Sequence, residues 1–205
     1  MAITITSSFT GTQDINFNST TSYLSTFNAG FNPGAGNFGW FYTPSSPPNY
    51  TSYGIENQST SQSFAMAGAF TYNTGAFDGS VSSIDFGTGL SNINPAGPPG
   101  LSSTPTNVTN VLLSLAFSPA FDDPTSAGGF GDSVHDTIYG LMTGDPDGIL
   151  DVINSNQNTF NGSAANETFQ GGALADTLNG NDGSDSLYGN GGKDTIYGGN
   201  GGDFL

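Results

Sequence analysis

Cysteine is absent from all 205 residues, which rules out disulfides and thiolate metal sites alike. Basic residues are nearly as scarce: Lys193 is the only Lys or Arg against 17 acids, giving a formal net charge of −16. A polyanion of this kind does not bind nucleic acid or an anionic membrane face by charge. No apolar run is long enough to cross a bilayer, so membrane insertion is not expected. The start, MAITITSSFTG, lacks the basic and apolar regions of a cleaved signal peptide. His135 is the single histidine, and HExxH, GxSxG, P-loop and Rossmann motifs are all missing. Asp122-Asp123 precede a proline, and Asp145 and Asp147 suit helix capping, so no carboxylate pair has a partner for acid–base work. The chain reads as a non-enzyme.

What is present is a period of nine. From Gly162 the units run GSAANETFQ, GGALADTLN, GNDGSDSLY, GNGGKDTIY and GGNGGDFL. Position six is always acidic (Glu167, Asp176, Asp185, Asp194, Asp203), and position eight always apolar (Phe169, Leu178, Leu187, Ile196, Leu205). Glycine turns followed by very short strands stack into a parallel β-roll, with the apolar residue inward. Turn carbonyls and the position-six carboxylate supply hard oxygens, which suit Ca²⁺. The candidate calcium residues are Asp176, Asp182, Asp185, Asp194 and Asp203, with Gly180, Gly183, Gly189, Gly191 and Gly198 in the turns. The first unit has one glycine and Glu167 in place of Asp, and reads as a cap. Without the ion the acids should repel and the glycines favour disorder, so calcium acts as a folding ligand. The chain stops inside its fifth unit, as a fragment or a chain lacking its C-terminal export signal would.

Residues 1–161 are rich in Ser, Thr, Asn, Gly and aromatics, a composition that favours strands and loops. In Ser63–Tyr72 alternation puts Phe64, Met66, Phe70 and Tyr72 on one side. Val81–Phe86 and Val108–Phe117 are further strands, the latter with Val111, Leu113, Leu115 and Phe117 on one face. Gly97–Pro105 is a Pro/Gly/Ser connector. Asp132-Ser133 can cap a helix carrying Val134, Ile138, Leu141 and Met142, ended by Gly144. Asp145 caps a second, with Pro146 in its first turn and Ile149, Leu150, Val152 and Ile153 buried. The expected fold is α+β: an antiparallel sheet with helices packed on one face, then a C-terminal parallel β-roll. Asn154–Asn161 reads as a linker. His135, one residue inside the first helix, suits a capping or surface position, with Tyr139 one turn on and within hydrogen-bonding reach.

The nonapeptide segment resembles the RTX repeats of proteins exported by bacterial type I secretion, which implies an extracellular location. A second resemblance runs through VHDTIYGLMTGDPDGILDVIN (Val134–Asn154), YLSTFN (Tyr23–Asn28), AGAFTY (Ala67–Tyr72) and VSSIDFGTGLS (Val81–Ser91). These pieces are similar, in order, to secreted bacterial hemophores of the HasA type. That resemblance implies a curved antiparallel sheet with helices on one side, and a heme (b-type) held between two loops. It places Tyr72 at the family's tyrosine ligand to iron. The family's loop histidine has no counterpart in Asn73-Thr74-Gly75-Ala76-Phe77 or in FNAGFNPGAGNFGWFY (Phe27–Tyr42). Phe31, Phe38, Trp40 and Phe41 could lie against the macrocycle, or pack as core, or form an adhesive patch. Tyr72 could equally pack beside Phe70 and Met66.

The resulting division is a hemophore-like domain over 1–154, a linker over 155–161, and a truncated calcium roll over 162–205. The function it implies is a secreted protein that captures heme for iron acquisition and passes it to an outer-membrane or cell-surface acceptor. The rival is a calcium-binding structural or adhesive protein that kept the fold without the heme.

Overall fold

The structure is a computed structural model that describes residues 1–15, 22–24, 26–29, 39–42, 49–57, 59–73, 76–91, 101–102, 107–122 and 133–205. Among these residues the long strands are β1 (Ala2–Ser7), β4 (Asn49–Glu56), β5 (Gln62–Asn73), β6 (Ala76–Ser91) and β8 (Asn107–Asp122). Short strands β2 (Gln13–Asp14), β3 (Trp40–Tyr42) and β7 (Leu101–Ser102) accompany them. Helices α1 (Ser133–Thr143) and α2 (Asp147–Asn154) follow, then β9 (Gln157–Asn161), β10 (Glu167–Gln170), β11 (Thr177–Asp182), β12 (Ser186–Tyr188) and β13 (Thr195–Asn200).

The strands form a ten-stranded sheet in the order β13-β11-β9-β1-β8-β6-β5-β4-β3-β7, and a three-stranded sheet β12-β10-β2. From β1 through β3 the large sheet is antiparallel. From β1 through β13 it is parallel. The α+β architecture expected from the sequence is therefore present, with the antiparallel half and the roll sharing one sheet. Residues 155–161 are not a linker. They close α2 and form β9, paired with β1 on one side and β11 on the other. Asn158 hides this from a hydrophobicity reading: it is buried, and its side-chain amide donates to the Ile153 and Asn156 carbonyls at the end of α2.

One face of the antiparallel half carries α1, which packs on β6 and β8. Val134, Ile138, Leu141 and Met142 of α1 join Ile149, Val152 and Ile153 of α2 and Phe64, Met66, Phe70, Val81, Ile84 and Phe86 of the sheet in one core. α1 stops at Gly144, whose φ of +84° a Cβ would strain. Pro146 is the N-cap of α2 and makes no side-chain cap, while Asp145 Oδ1 accepts from the Asp147 N–H at 3.2 Å. The helices approach so closely that a Cβ on Gly148 would lie 2.8 Å from Thr137 Cα. In β8, Leu113, Leu115 and Phe117 share the main core, but Val111 does not. It packs with Ala65, Leu90 and Val108 on the opposite face, because the β6–β8 register shifts between Phe86 and Gly87 and leaves Leu112 as an extra residue. The core continues without interruption into the roll through Ile3, Ile5, Ile15, Phe160, Phe169, Leu178 and Leu187. The Phe160 and Phe169 rings stack at 4.2 Å, 4° from parallel. The expected connector region contains β7, paired in parallel with β3. No helix among the described residues is long and apolar enough to cross a membrane.

Candidate functional site: the calcium roll and the β5–β6 hairpin

In the roll, residues eighteen apart occupy equivalent places on successive coils, so each coil consumes two nonapeptides. Leu178 pairs with Phe160 and Ile196, and Phe169 with Leu187, which stacks the position-eight side chains inward. Phe169, Leu178 and Leu187 are fully buried, Ile196 is half-buried and Leu205 is exposed. The position-six acids divide into two columns, one with Glu167, Asp185 and Asp203 and the other with Asp176 and Asp194.

Each Asp uses its two oxygens differently. Oδ1 accepts the backbone N–H one coil earlier: Asp176 from Asn158 (2.7 Å), Asp185 from Glu167 (2.8 Å), Asp194 from Asp176 (2.9 Å) and Asp203 from Asp185 (3.1 Å). The other oxygen faces the glycine that opens the same unit. A Cβ on Gly180 would collide with Asp185 Oδ2 and the Gly198 carbonyl oxygen. Cβ atoms on Gly189 and Gly198 would meet Asp194 Oδ2 and Asp203 Oδ2 in the same way. Asp185 is 1% exposed, and its Oδ2 has no hydrogen-bond partner among the described residues. A buried carboxylate oxygen without a donor is costly unless a cation meets it.

The donor set fits a hard divalent ion. No three His, Asp or Glu side chains converge among the described residues, so any such ion would be held mainly by turn carbonyls with one or two carboxylates, as Ca²⁺ tolerates. Burial raises the Glu167 and Asp176 carboxyls above the ordinary carboxylate range; hydrogen bonds oppose this and the neighbouring acids Asp185 and Asp194 add to it. Lys193 is exposed and is the chain's only Lys or Arg, so it can neutralise at most one of these acids. Gly183 has φ +120°, an angle suited to glycine, whereas Gly191 lies beside the Ala173 backbone. Asp182 stands apart from both columns: it is exposed, and its Oδ1 accepts from Asn200 Nδ2 at 2.8 Å.

Two position-two asparagines escape a reading based on acids and glycines. Asn181 and Asn190 have φ of +73° and +63°, and each donates its Nδ2 to the glycine carbonyl one coil earlier, Gly162 or Gly171, at 2.7 Å. They brace the turns against their neighbours. Asparagine is the residue besides glycine that most readily takes this conformation, and that was the available signal.

In the antiparallel half, between β8 and β4, β5 and β6 form a hairpin whose last ladder pair is Asn73 with Ala76. Tyr72 pairs with Phe77, one step from that end. Residues 161–182 and 170–205 match the RTX calcium-binding nonapeptide repeat. Among solved structures, the chain is similar to a HasA point mutant from Yersinia pseudotuberculosis, with a TM-score of 0.56, 21% identity, and coverage of 75% of this chain and 88% of that one. It is also similar to the apo hemophore HasA from Yersinia pestis in a hexagonal form (0.54, 20%, 75% and 88%) and a tetragonal form (0.54, 22%, 75% and 86%). The chain has the HasA fold and carries RTX repeats. No significant match is found among curated protein sequences.

Of the aromatic candidates, Trp40 and Phe41 fall within the described residues, on β3. Phe41 pairs with Tyr53, which pairs with Met66, six residues before Tyr72 on β5. At about 3.3 Å per residue, that is about 20 Å along the strand. Trp40 lies one step farther, level with Gly54 and Ala65. Phe31 and Phe38 lie outside the described residues. His135 is 1% exposed, so it does not occupy the expected surface position. Its ring stacks on Tyr139 at 5.7 Å, because α1 turns this face toward the core that Val134 and Ile138 also enter.

Proposed function

We propose that the chain is a secreted, hemophore-like protein that binds heme through Tyr72, and that calcium folds its RTX coil once it is outside the cell. The calcium half is supported by the repeat match together with the buried, partnerless Asp185 Oδ2. The heme half is supported by the HasA fold and by a tyrosine one ladder step from the end of its β5–β6 hairpin. Both the fold and the repeats belong to non-enzymatic modules, and the reading is of a binding protein.

The donor chemistry suits ferric iron with a single protein ligand. A phenol is a weak ligand at its ordinary pKa of about 10, but a hard cation stabilises the phenolate, and tyrosine is a known haem ligand. On this reading Tyr72 gives up its Oη proton, with no histidine in Asn73–Phe77 to take it, so the proton passes to water. The loop Phe27–Tyr42 contains no histidine to act as second ligand, and His135 is committed to the core under α1. The segment before β3, including Phe31 and Phe38, contributes aromatic surface, and an acceptor at the cell surface takes the heme onward.

Calcium provides the timing. Repeats of modest affinity, at about 10⁻⁴–10⁻³ M, stay unloaded inside cells and fill outside by mass action. The decisive experiment is a hemin titration of the calcium-loaded chain followed by visible absorption. A shifted Soret band with a phenolate–iron charge-transfer band, both lost in Tyr72→Phe, is expected. An unshifted spectrum at equimolar protein would instead favour the structural or adhesive reading.

A further inference from the structure

The first coil of the roll is capped by the chain's own beginning. β1 runs parallel to β9, with Ile5 opposite Phe160, and β2 runs parallel to β10, with Gln13 opposite Glu167. Ile15 follows by donating its N–H to the Thr168 carbonyl at 2.8 Å, and Gln13 donates to the Asn166 carbonyl at 2.9 Å. Residues 1–15 thus occupy the place of a preceding coil, with Ile5 and Ile15 where position-eight residues would stand. Gln13 stands where the preceding acid would.

Glu167 sits at this joint. It is 1% exposed. Its Oε1 accepts from Ser7 Oγ of β1 at 2.8 Å, from the Ser163 N–H at 3.1 Å and from Ser163 Oγ. The Phe9 carbonyl, 2.9 Å from Ser163 Oγ, is the alternative acceptor for that one hydroxyl proton. Glu has one methylene more than Asp, and that length lets one oxygen reach the N-terminal strand while the other stays in the column. The second oxygen, Oε2, is buried with no hydrogen-bond partner among the described residues. A Cβ on Gly162 would lie 3.1 Å from it and would strike the Gly180 carbonyl oxygen. The two hard oxygens therefore flank the same small space, one coil from the equivalent space at Asp185.

We propose that Glu167 Oε2 and the Gly180 carbonyl hold a divalent cation of the calcium type in the first coil, and that this cation fastens residues 1–15 onto the roll through Ser7. The inference rests on the calcium reading of the repeats and adds a site at the one unit whose acid is not Asp. Its consequence reaches beyond the roll. β1 is also hydrogen-bonded to β8, with Ser7 opposite Leu113, so cation binding in the first coil steadies the edge of the antiparallel half.

The test uses the full chain. Bound calcium is counted by equilibrium dialysis and calorimetry, and amide hydrogen exchange of residues 3–7 is followed with and without calcium. The wild type should gain about tenfold protection there on loading. Glu167→Gln keeps the side-chain shape and should bind one ion fewer, lose the gain at residues 3–7, and retain the calcium-dependent protection of residues 195–200. If Glu167→Gln binds as many ions with unchanged affinity, or if residues 3–7 are equally protected without calcium, the joint is wrong while the repeat reading stands. A wild type that binds no calcium overturns both. Should Glu167→Gln fail to fold, Ser7→Ala leaves every carboxylate in place and should weaken one ion severalfold. Unchanged affinities and unchanged protection in Ser7→Ala would also overturn the proposal.

Discussion

Replacing Asp185 by Asn should stabilise the metal-free chain and destabilise the calcium-loaded one. Asn keeps the oxygen that accepts the Glu167 N–H at 2.8 Å, so the ladder hydrogen bond survives. What goes is a charge between Glu167 and Asp203, its neighbours one coil away on either side. Coils about 4.8 Å apart put like charges at a separation where each pair repels by about 3–4 kcal/mol at an effective dielectric of about 20. Asp203 is half-exposed and solvent screens its charge, so the relief is discounted to about 2 kcal/mol. For a chain of this size that raises the melting temperature by about 4–8 °C in chelator. In calcium the sign reverses. A site filled at about 100 times its Kd contributes about 2.7 kcal/mol, and losing its carboxylate forfeits most of that. Thermal unfolding followed by circular dichroism, run in both conditions, reads the two shifts directly. A variant that melts lower in chelator as well as in calcium would refute the reasoning, because removing the Asp185 charge would then relieve no repulsion in the metal-free column.

Other outcomes follow from the same geometry. Glu167 and Asp176 have native pKa values raised by burial, so the native state binds more protons than the unfolded chain between the ordinary carboxylate range and those raised values. Metal-free stability should therefore be higher at about pH 5 than at about pH 7.5 in denaturant titrations, and in saturating calcium the trend should invert because protons and metal compete. A flat metal-free profile would mean that these carboxyls are not desolvated. Gly148→Ala sets a methyl against the Thr137 backbone and should cost about 1–3 kcal/mol by separating α1 from α2, read as a lower denaturation midpoint.

The parts of the fold that were legible in the sequence are those with local repetition. Asp185 and Leu187 recur in kind every nine residues, so the roll and its inward column could be read without any long-range information. The helices were equally plain, since Val134, Ile138, Leu141 and Met142 follow one helical stripe. The N-terminal coil was not legible, because Ile5 meets Phe160 across most of the chain and nothing in MAITITSSF says which strand it will join. Asn158 concealed β9 by being polar and buried, and one extra residue at Leu112 turned Val111 to the wrong face. Glu167 looked like a degenerate Asp; only its reach to Ser7 shows what the added methylene does.

The claim that matters most is iron ligation by one phenolate on a HasA-like sheet. Resonance Raman spectra of the calcium-saturated chain loaded with one equivalent of hemin test it directly, with Tyr72→Phe measured alongside. The account predicts phenolate modes coupled to ferric iron in the wild type and their disappearance in the variant. Phenolate modes that persist in Tyr72→Phe, or their absence from a wild type that has taken up hemin, would contradict it.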